Sequence, residues 1–564
     1  MEALDWLVIG VFFLALIGII VWVVRQKQND SADYFLGGRD ATWLAIGASI
    51  FASNIGSEHL IGLAGAGASS GMAMAHWEIQ GWMILILGWV FVPFYSRSMV
   101  YTMPEFLERR YNPQSRTILS VISLVSYVLT KVAVTVYAGG LVFQQVFGIK
   151  ELWGIDFFWI AAIGLVVLTA IYTIFGGMKS VLYTSVLQTP ILLLGSLIIL
   201  VLGFKELGGW DEMMRVCGAV TVNDYGDTMT NLIRSNDDAN FPWLGALIGS
   251  AIIGFWYWCT DQFIVQRVLS GKNEKEARRG TIFGAYLKLL PVFLFLIPGM
   301  IAFALHQKYI GAGGEGFLPM LANGTANADA AFPTLVAKLL PAGVKGLVVC
   351  GILAALMSSL ASLFNSSAML FTIDFYKRFR PEAPEKKLVG IGQVATVVIV
   401  ILGILWIPIM RSVGDVLYTY LQDVQSVLAP GIAAAFLLGV CWKRTSAQGG
   451  MWGLISGMVI GLTRLGAKVY YSNAGEVADS TFKYLFYDMN WLFFCGWMFL
   501  FCMIVVIVVS LTTKAPTAEK IQGLVFGTAT KEQKAATRVS WDHWDIIHTV
   551  IILSITAAFY WYFW

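Results

Sequence analysis

Ionisable side chains inside apolar stretches are the residues of this sequence best suited to chemistry. A charge within such a stretch is costly unless it faces a partner or a water-filled cavity. Asp374 and Arg464 lie near the ends of their stretches, where we expect structural or snorkelling roles. Glu78 and Lys288 could form a structural ion pair or part of a ligand site, and their charges alone leave both alternatives open. The full set is Glu58, His59, Glu78, Lys131, Asp261, Lys288, Asp374, Asp423 and Arg464.

Polar and aromatic residues near these charges favour a ligand site. They are Asn54, His59, Tyr257, Trp258 and Gln422. Sugars and polyols require converging hydrogen-bond donors and acceptors beside a flat apolar face, which this set could supply. An anionic solute would prefer an uncompensated cation, so the combination of Glu78, Lys288 and Gln422 indicates a neutral polyol.

A serine cluster could bind a cation. Ser358, Ser359, Ser362 and Ser366 follow Ala354 and Ala355 in one apolar stretch. Small residues at helical spacing often serve only to let helices approach closely. Alternatively, the hydroxyls of Ser358 and Ser359, together with backbone carbonyls of an unwound helix, would be hard oxygen ligands for Na⁺. The pattern leaves both interpretations open.

The composition excludes several classes of protein. The chain has 564 residues, of which 57% are hydrophobic and 13% charged, as expected of a membrane protein and not of a soluble one. A net charge of +3, without clustered basic and aromatic residues, predicts no nucleic-acid partner. The sequence contains no HExxH, GxSxG or GxxxxGK[ST] motif, so we do not expect an enzyme.

These residues must be positioned by membrane-spanning helices, and the sequence predicts an all-α protein with about fourteen of them. The first stretch follows Glu2 and Asp5 and precedes Arg25, so we expect a retained helix and not a signal peptide. The fourteen apolar stretches are 5–24, 43–69, 75–97, 117–147, 155–175, 181–204, 241–266, 280–305, 345–374, 388–410, 416–440, 447–470, 489–512 and 544–562.

The distribution of Lys and Arg predicts the orientation. Basic residues are retained on the cytoplasmic side, and most of the 38 Lys and Arg fall on alternate loops that become cytoplasmic when the N-terminus is outside. An even number of spans then places the C-terminus outside as well. We therefore expect a multi-pass protein of the cell membrane with both termini external.

Two interrupted stretches indicate an internal repeat. The second is interrupted by Ser53, Asn54, Gly56, Ser57, Glu58 and His59, and the seventh by Trp258, Cys259, Thr260, Asp261 and Gln262. Interrupted helices at corresponding places in two halves are typical of transporters built from inverted repeats. The sequence thus predicts one transporter domain, 1–564, with an extra helix at 5–24, five-helix repeats at 43–204 and 241–440, and C-terminal helices at 447–564.

Six runs resemble the sodium/solute symporters, and most closely the sodium/glucose and sodium/myo-inositol cotransporters among them. The resemblance implies a leucine-transporter-type core of two inverted five-helix repeats that works by alternating access. The runs are ASNIGSEHLIGLAGAGASSG (52–71), YTMPEFLERRY (101–111), FWYWCTDQFIVQR (255–267), YLKLLP (286–291), LMSSLASLFNSSAMLFTIDFY (356–376) and VLAPGIAAAFLLGVCWKR (427–444).

The resemblance also implies two sets of site residues. Tyr257 would be the inner gate that blocks exit towards the cytoplasm. The sodium ligands would be backbone oxygens of Ala52, Ile55 and Ala355 and hydroxyls of Ser358 and Ser359. The sugar-contacting residues would be Asn54, His59, Glu78, Tyr257, Trp258, Lys288 and Gln422.

Departures from the family pattern limit the prediction. Ser185 and Ala361 replace an aspartate and a hydroxyl residue that relatives use in the sodium pathway or at a second sodium site, so we expect one Na⁺ per sugar. Gly254 and His59 replace sugar-contacting residues of some relatives. The sequence therefore predicts Na⁺-coupled symport of a neutral sugar such as glucose or galactose. Myo-inositol, another solute, and a sensor that binds sugar without transport are the alternatives, and the oligomeric state is not predicted.

Overall fold

The computed structural model describes residues 1–26, 30–56, 58–321, 324–411, 417–473 and 478–564, and most of them are helical. The first α-helices are α1 Ala3–Val24, α2 Ser31–Leu36, α3 Trp43–Asn54, α4 Ala64–Ser70, α5 Ala75–Glu78, α6 Gly81–Ile86, α7 Val92–Ser98, α8 Met103–Arg110, α9 Pro113–Ser126, α10 Ala133–Phe147, α11 Phe157–Leu207 and α12 Trp210–Gly218. The others are α13 Trp243–Gly254, α14 Gln262–Leu269, α15 Glu274–Lys288, α16 Ile297–Gly311, α17 Ala331–Leu339, α18 Val344–Met369, α19 Lys377–Phe379, α20 Glu385–Arg411, α21 Leu417–Cys441, α22 Ala447–Asn473, α23 Thr481–Lys483, α24 Trp491–Thr512, α25 Lys531–Val539 and α26 His543–Tyr562. Strands β1 Glu151–Leu152 and β2 Ile155–Asp156 form an antiparallel hairpin.

Short turns of other helical types join these elements. The 3₁₀ turns are Gly37–Arg39, Gly71–Met74, Ala328–Ala330 and Ala518–Lys520. The π-helical turns are Glu58–Leu63, Leu87–Phe91, Tyr127–Val132, Phe255–Thr260, Val292–Leu296, Leu370–Tyr376 and Tyr484–Asp488. A π-helical turn inserts a residue into the helix and is frequent at functional sites. Here three of them carry His59, Lys131 and Tyr257, respectively.

The multi-span prediction is confirmed. Among the described residues, ten helical segments are long and apolar enough to cross a membrane, and some of them join two predicted spans, as Glu58–Ser98 does. Two shorter apolar helices, Trp43–Asn54 and Ala133–Gln144, fall within further predicted spans. Helix α22 covers another predicted span but contains Arg464 and Lys468, which lower its apolar character.

Helix α11 joins two predicted spans, 155–175 and 181–204. Its 51 residues would extend about 77 Å as a straight helix, more than twice the hydrocarbon thickness of a bilayer. The backbone is non-helical at Gly177, where φ is 53°. A Cβ at this position would overlap the carbonyl oxygen of Tyr34. Glycine therefore allows both the bend and the close approach of α2, and the two spans remain distinct.

The helices that carry the predicted site residues surround one central region. Helix α3 packs against α15, α11 and α18. Helix α21 packs against the π-helical turns Glu58–Leu63 and Phe255–Thr260. This packing brings the two interrupted stretches, far apart in sequence, next to each other.

Candidate functional site

The site forms where two helices are interrupted. Helix α3 ends at Asn54 and helical structure resumes at Glu58, while Ser57 lies outside the described residues. Helix α13 passes into the turn Phe255–Thr260 and ends at Asp261, whose backbone is extended. The buried cavity between these breaks is lined by Asn54, Glu58, His59, Trp77, Glu78, Gln80, Lys131, Val134, Thr135, Ile253, Gly254, Tyr257, Trp258, Phe263, Lys288, Ser359, Leu363, Gln422 and Gln425. All seven residues predicted to contact sugar thus line one cavity.

A buried ion pair forms the polar centre of the cavity. The Lys288 Nζ donates to Glu78 Oε2 at 2.6 Å and to Asn54 Oδ1 at 3.2 Å. The His59 Nε2 lies 3.3 Å from the same Glu78 oxygen. The Lys288 ammonium also lies 5.3 Å from the centre of the Trp258 ring, within the range of a cation–π contact. Five elements of the chain are therefore held together by one network.

Tyr257 presents its ring to the cavity. Its hydroxyl accepts a hydrogen bond from Asn54 Nδ2 at 3.2 Å. Its ring lies edge-on to Trp258, with centroids 4.9 Å apart, and contacts Phe263 at 6.2 Å. The hydroxyl of Tyr257 is thus held by Asn54 of the first interrupted helix, and its ring is held by Trp258 and Phe263 of the second.

Gln80 is a cavity residue that the sequence analysis did not single out. Its Nε2 donates to the carbonyl of Ser250 at 2.8 Å, and its side-chain oxygen lies against Gly254, where a Cβ would overlap it. The missing side chain of Gly254 is thus replaced in space by the amide of Gln80. The only sequence signal for Gln80 as a cavity residue is its position two residues after Glu78.

A second buried ion pair lies beside Tyr257. The Lys131 Nζ donates to Asp261 Oδ2 at 2.7 Å, and Tyr127 donates its hydroxyl to the other oxygen of Asp261. Both charged residues were recognised in the sequence as ionisable groups within spans. Their pairing was not predicted, because 130 residues separate them.

The predicted sodium ligands are only partly brought together. The Ser359 hydroxyl donates to the carbonyls of Ser53, at 2.9 Å, and Ile55, at 3.2 Å. The last carbonyls of a helix have no intrahelical partner, so the end of α3 supplies such oxygens. Ser53 was not among the predicted ligands, although it lies in the interrupted stretch.

The other predicted sodium ligands lie nearby on the same two helices. Ser358 lies 3.3 Å from the hydroxyl of Ser185 on α11, and its carbonyl accepts from Ser362 at 2.7 Å. Ala52 and Ala355 are buried in α3 and α18, which pack against each other. Ser359 and the carbonyls of Ser53 and Ile55 therefore form the centre of the candidate cation site.

Comparison with known proteins decides the family. The model of the sodium:solute symporter family matches residues 34–457. The chain belongs to the sodium:solute symporter family. Its members are transporters, and sodium is the ion they couple to solute movement, as the sequence predicted.

Curated members of the sodium:solute symporter family match most of the chain. Sodium/myo-inositol cotransporter 2 of Homo sapiens is 36% identical over 542 residues, which cover 94% of this chain and 79% of that protein. Sodium/glucose cotransporter 4 of Danio rerio is 36% identical over 537 residues, which cover 92% of this chain and 80% of that protein. The resemblance inferred from the six sequence runs is thus confirmed.

The fold agrees with a solved structure of a symporter. A substrate-bound, outward-open Na⁺-coupled sialic acid symporter superposes with a TM-score of 0.72, covering 92% of this chain and 99% of that one. The sequence identity is 22%, so this likeness concerns the fold alone. The prediction of an all-α, leucine-transporter-type fold is confirmed.

Proposed function

We propose that this symporter moves one neutral sugar or polyol together with one Na⁺ by alternating access. The observation that carries the proposal is the balanced, polar cavity around the Glu78–Lys288 pair. Both ammonium groups that line it are compensated by a carboxylate, Lys288 by Glu78 and Lys131 by Asp261. A balanced set of charges favours a neutral solute, and alternating donors and acceptors suit hydroxyl groups.

Gln422 supports a ligand at this position. Its side-chain oxygen is buried and has no hydrogen-bond partner among the described residues. Buried polar atoms in native proteins are rarely left unpaired, because the loss of water costs free energy. A solute hydroxyl would satisfy this oxygen. The names of the relatives, sodium/myo-inositol and sodium/glucose cotransporters, agree with such a solute.

The proposed transport cycle begins with external Na⁺. The ion binds to Ser359, Ser358 and the carbonyls of Ala52, Ile55 and Ala355, with Ser53 as an added candidate, and orders the end of α3 against α18. The sugar then bonds to Glu78, Lys288 and Gln422, with Asn54, His59 and Trp258 around it and its apolar face on Tyr257. One charge moved across the membrane contributes about 2.3 kcal/mol per 100 mV, which corresponds to about fortyfold accumulation.

The proposal includes the arrangement in the membrane. The repeats would be 43–204 and 241–440, flanked by the helix at 5–24 and the helices at 447–564. Both termini would be external in the cell membrane, as the distribution of Lys and Arg indicates. No enzymatic activity is part of the proposal.

Uptake into proteoliposomes tests the function. Labelled glucose, galactose and myo-inositol are offered to the purified protein under an inward Na⁺ gradient and, as the control, an equal K⁺ gradient. Accumulation of one of them only with Na⁺ supports the proposal and identifies the solute. Specific binding without uptake under either gradient would contradict it and favour a sensor, and neither binding nor uptake would point to another solute.

A further inference from the structure

The ammonium of Lys131 lies in a cage of aromatic rings beside Tyr257. The centroids of the surrounding rings are 4.6 Å away for Tyr257, 4.7 Å for Phe263, 5.1 Å for Tyr127 and 5.4 Å for Trp256. The cage is closed by Asp261, at 2.7 Å. The side chains of Lys131 and Asp261 are 8% and 2% exposed, so the pair is shielded from water.

Asp261 connects this cage to the backbone of the interrupted helix. Its backbone N–H donates to the carbonyl of Trp256 at 2.9 Å, and its carboxylate caps α14 by accepting from the N–H of Phe263 at 3.3 Å. The same N–H also donates to the hydroxyl of Tyr127 at 3.0 Å. Asp261 therefore fixes both the end of the turn that carries Tyr257 and the start of the next helix.

Lys131 belongs to a different part of the chain. It lies on the π-helical turn Tyr127–Val132, between α9 and α10. Its bond to Asp261 joins this turn to the end of the turn Phe255–Thr260. Tyr257 contacts the Lys131 ammonium with its ring and accepts the hydrogen bond from Asn54 with its hydroxyl. A displacement of Tyr257 would take away one face of the aromatic cage.

We propose that Lys131, paired with Asp261, is a positioning residue that holds Tyr257 closed over the exit of the solute cavity. This inference rests on the proposed function, in which the solute lies on the ring of Tyr257, and on the predicted role of Tyr257 as the inner gate. The seventh span is predicted to run from outside to inside, so Asp261 lies beyond Tyr257 towards the cytoplasm. The pair must loosen when Tyr257 moves aside to release solute.

Access to the cavity from the predicted cytoplasmic side tests this role without any solute. Gln425 lines the cavity and serves as the reporter when replaced by cysteine. Cys441 is exposed and the other five cysteines are buried, so Cys441→Ser removes the background. The rate of reaction with a membrane-impermeant thiol reagent, added to inside-out vesicles, is then measured.

We expect Lys131→Gln and Asp261→Asn each to increase this rate about tenfold, within the usual range of coupling between two sites. Lys131→Arg retains the charge and should stay near the parent rate. The double variant Lys131→Gln/Asp261→Asn leaves no unpaired charge and should fold, yet still react faster.

A matched control separates positioning from general stability. Arg116, which is partly buried, and the buried Asp374 form another ion pair, at 2.7 Å, that does not line the cavity. Arg116→Gln should leave the labelling rate unchanged. Equal rates for the double variant and its parent, or equal acceleration by Arg116→Gln, would overturn the inference. Labelling requires no solute, so its result is independent of uptake. An unchanged labelling rate would reject the role of Lys131 even if Na⁺-driven uptake is observed, and a faster rate would support that role even if no uptake is observed.

Discussion

The Lys288 ammonium lies 2.6 Å from Glu78 Oε2, and neither side chain is more than 4% exposed. The two residues are 210 positions apart, so the pair joins the two halves of the chain at the cavity. A buried ion pair contributes little net stability, because burial removes the hydration of both charges. Its position at the centre of a polar cavity agrees with the solute site proposed above.

Removal of one partner of this pair should destabilise the protein more than removal of both. Glu78→Gln or Lys288→Met leaves an uncompensated buried charge, which we expect to cost about 3–5 kcal/mol. The double variant should recover most of that stability, and all three variants should lose Na⁺-driven uptake. Thermal unfolding in detergent and uptake by proteoliposomes measure the two effects. A double variant that transports normally would exclude the pair from solute binding.

Ser359 should determine the affinity for sodium. Ser359→Ala removes the hydroxyl that joins Ser53 and Ile55, so we expect the Na⁺ concentration for half-maximal uptake to rise about tenfold, equivalent to about 1.4 kcal/mol. Ser366 is the matched control, because it is buried on the same helix but donates to Gln266 at 2.7 Å. Unchanged sodium dependence in Ser359→Ala, or an equal rise in Ser366→Ala, would place the ion elsewhere.

Local sequence patterns predicted the positions of the helix breaks well. Polar residues within an apolar stretch, such as Asn54 and Asp261, are visible without knowledge of the fold, and both mark the end of a helical segment. Gly177 separates the two spans that the sequence predicted between 155 and 204. These features depend on the chemistry of neighbouring residues, which the sequence displays directly.

Pairing between distant elements could not be read in the same way. Lys131 and Asp261 were recognised as ionisable, but their contact depends on two π-helical turns whose side-chain directions differ from those of an α-helix. Gln80 fills the space above Gly254 only because α13 packs close to the end of α5. Such relationships require the packing of whole helices and are fixed only in the folded chain.

The hydroxyl of Tyr257 should contribute less than its ring. Tyr257→Phe keeps the ring and loses only the hydrogen bond from Asn54, which is worth about 1 kcal/mol. We therefore expect efflux of preloaded solute to become several-fold faster. Tyr257→Ala should in addition lose aromatic contact with the solute and abolish accumulation. Efflux from loaded proteoliposomes without a Na⁺ gradient measures the leak. Identical efflux from both variants and the parent would contradict a closing role for this side chain.

Gly254 and Gln80 should behave as a coupled pair. Gly254→Ala introduces a Cβ where the Gln80 oxygen lies, so it should displace that amide and weaken uptake, at a cost of about 1–3 kcal/mol for overpacking. In a Gln80→Ala background the space is free, and the same substitution at Gly254 should cost little. A double-mutant cycle on uptake and thermal stability gives the coupling energy directly. Gly249→Ala is the control for a glycine substitution on the same helix, because its Cβ would meet Leu492, which does not line the cavity. Additive effects of the two changes would show that Gln80 does not occupy the place of a side chain at 254.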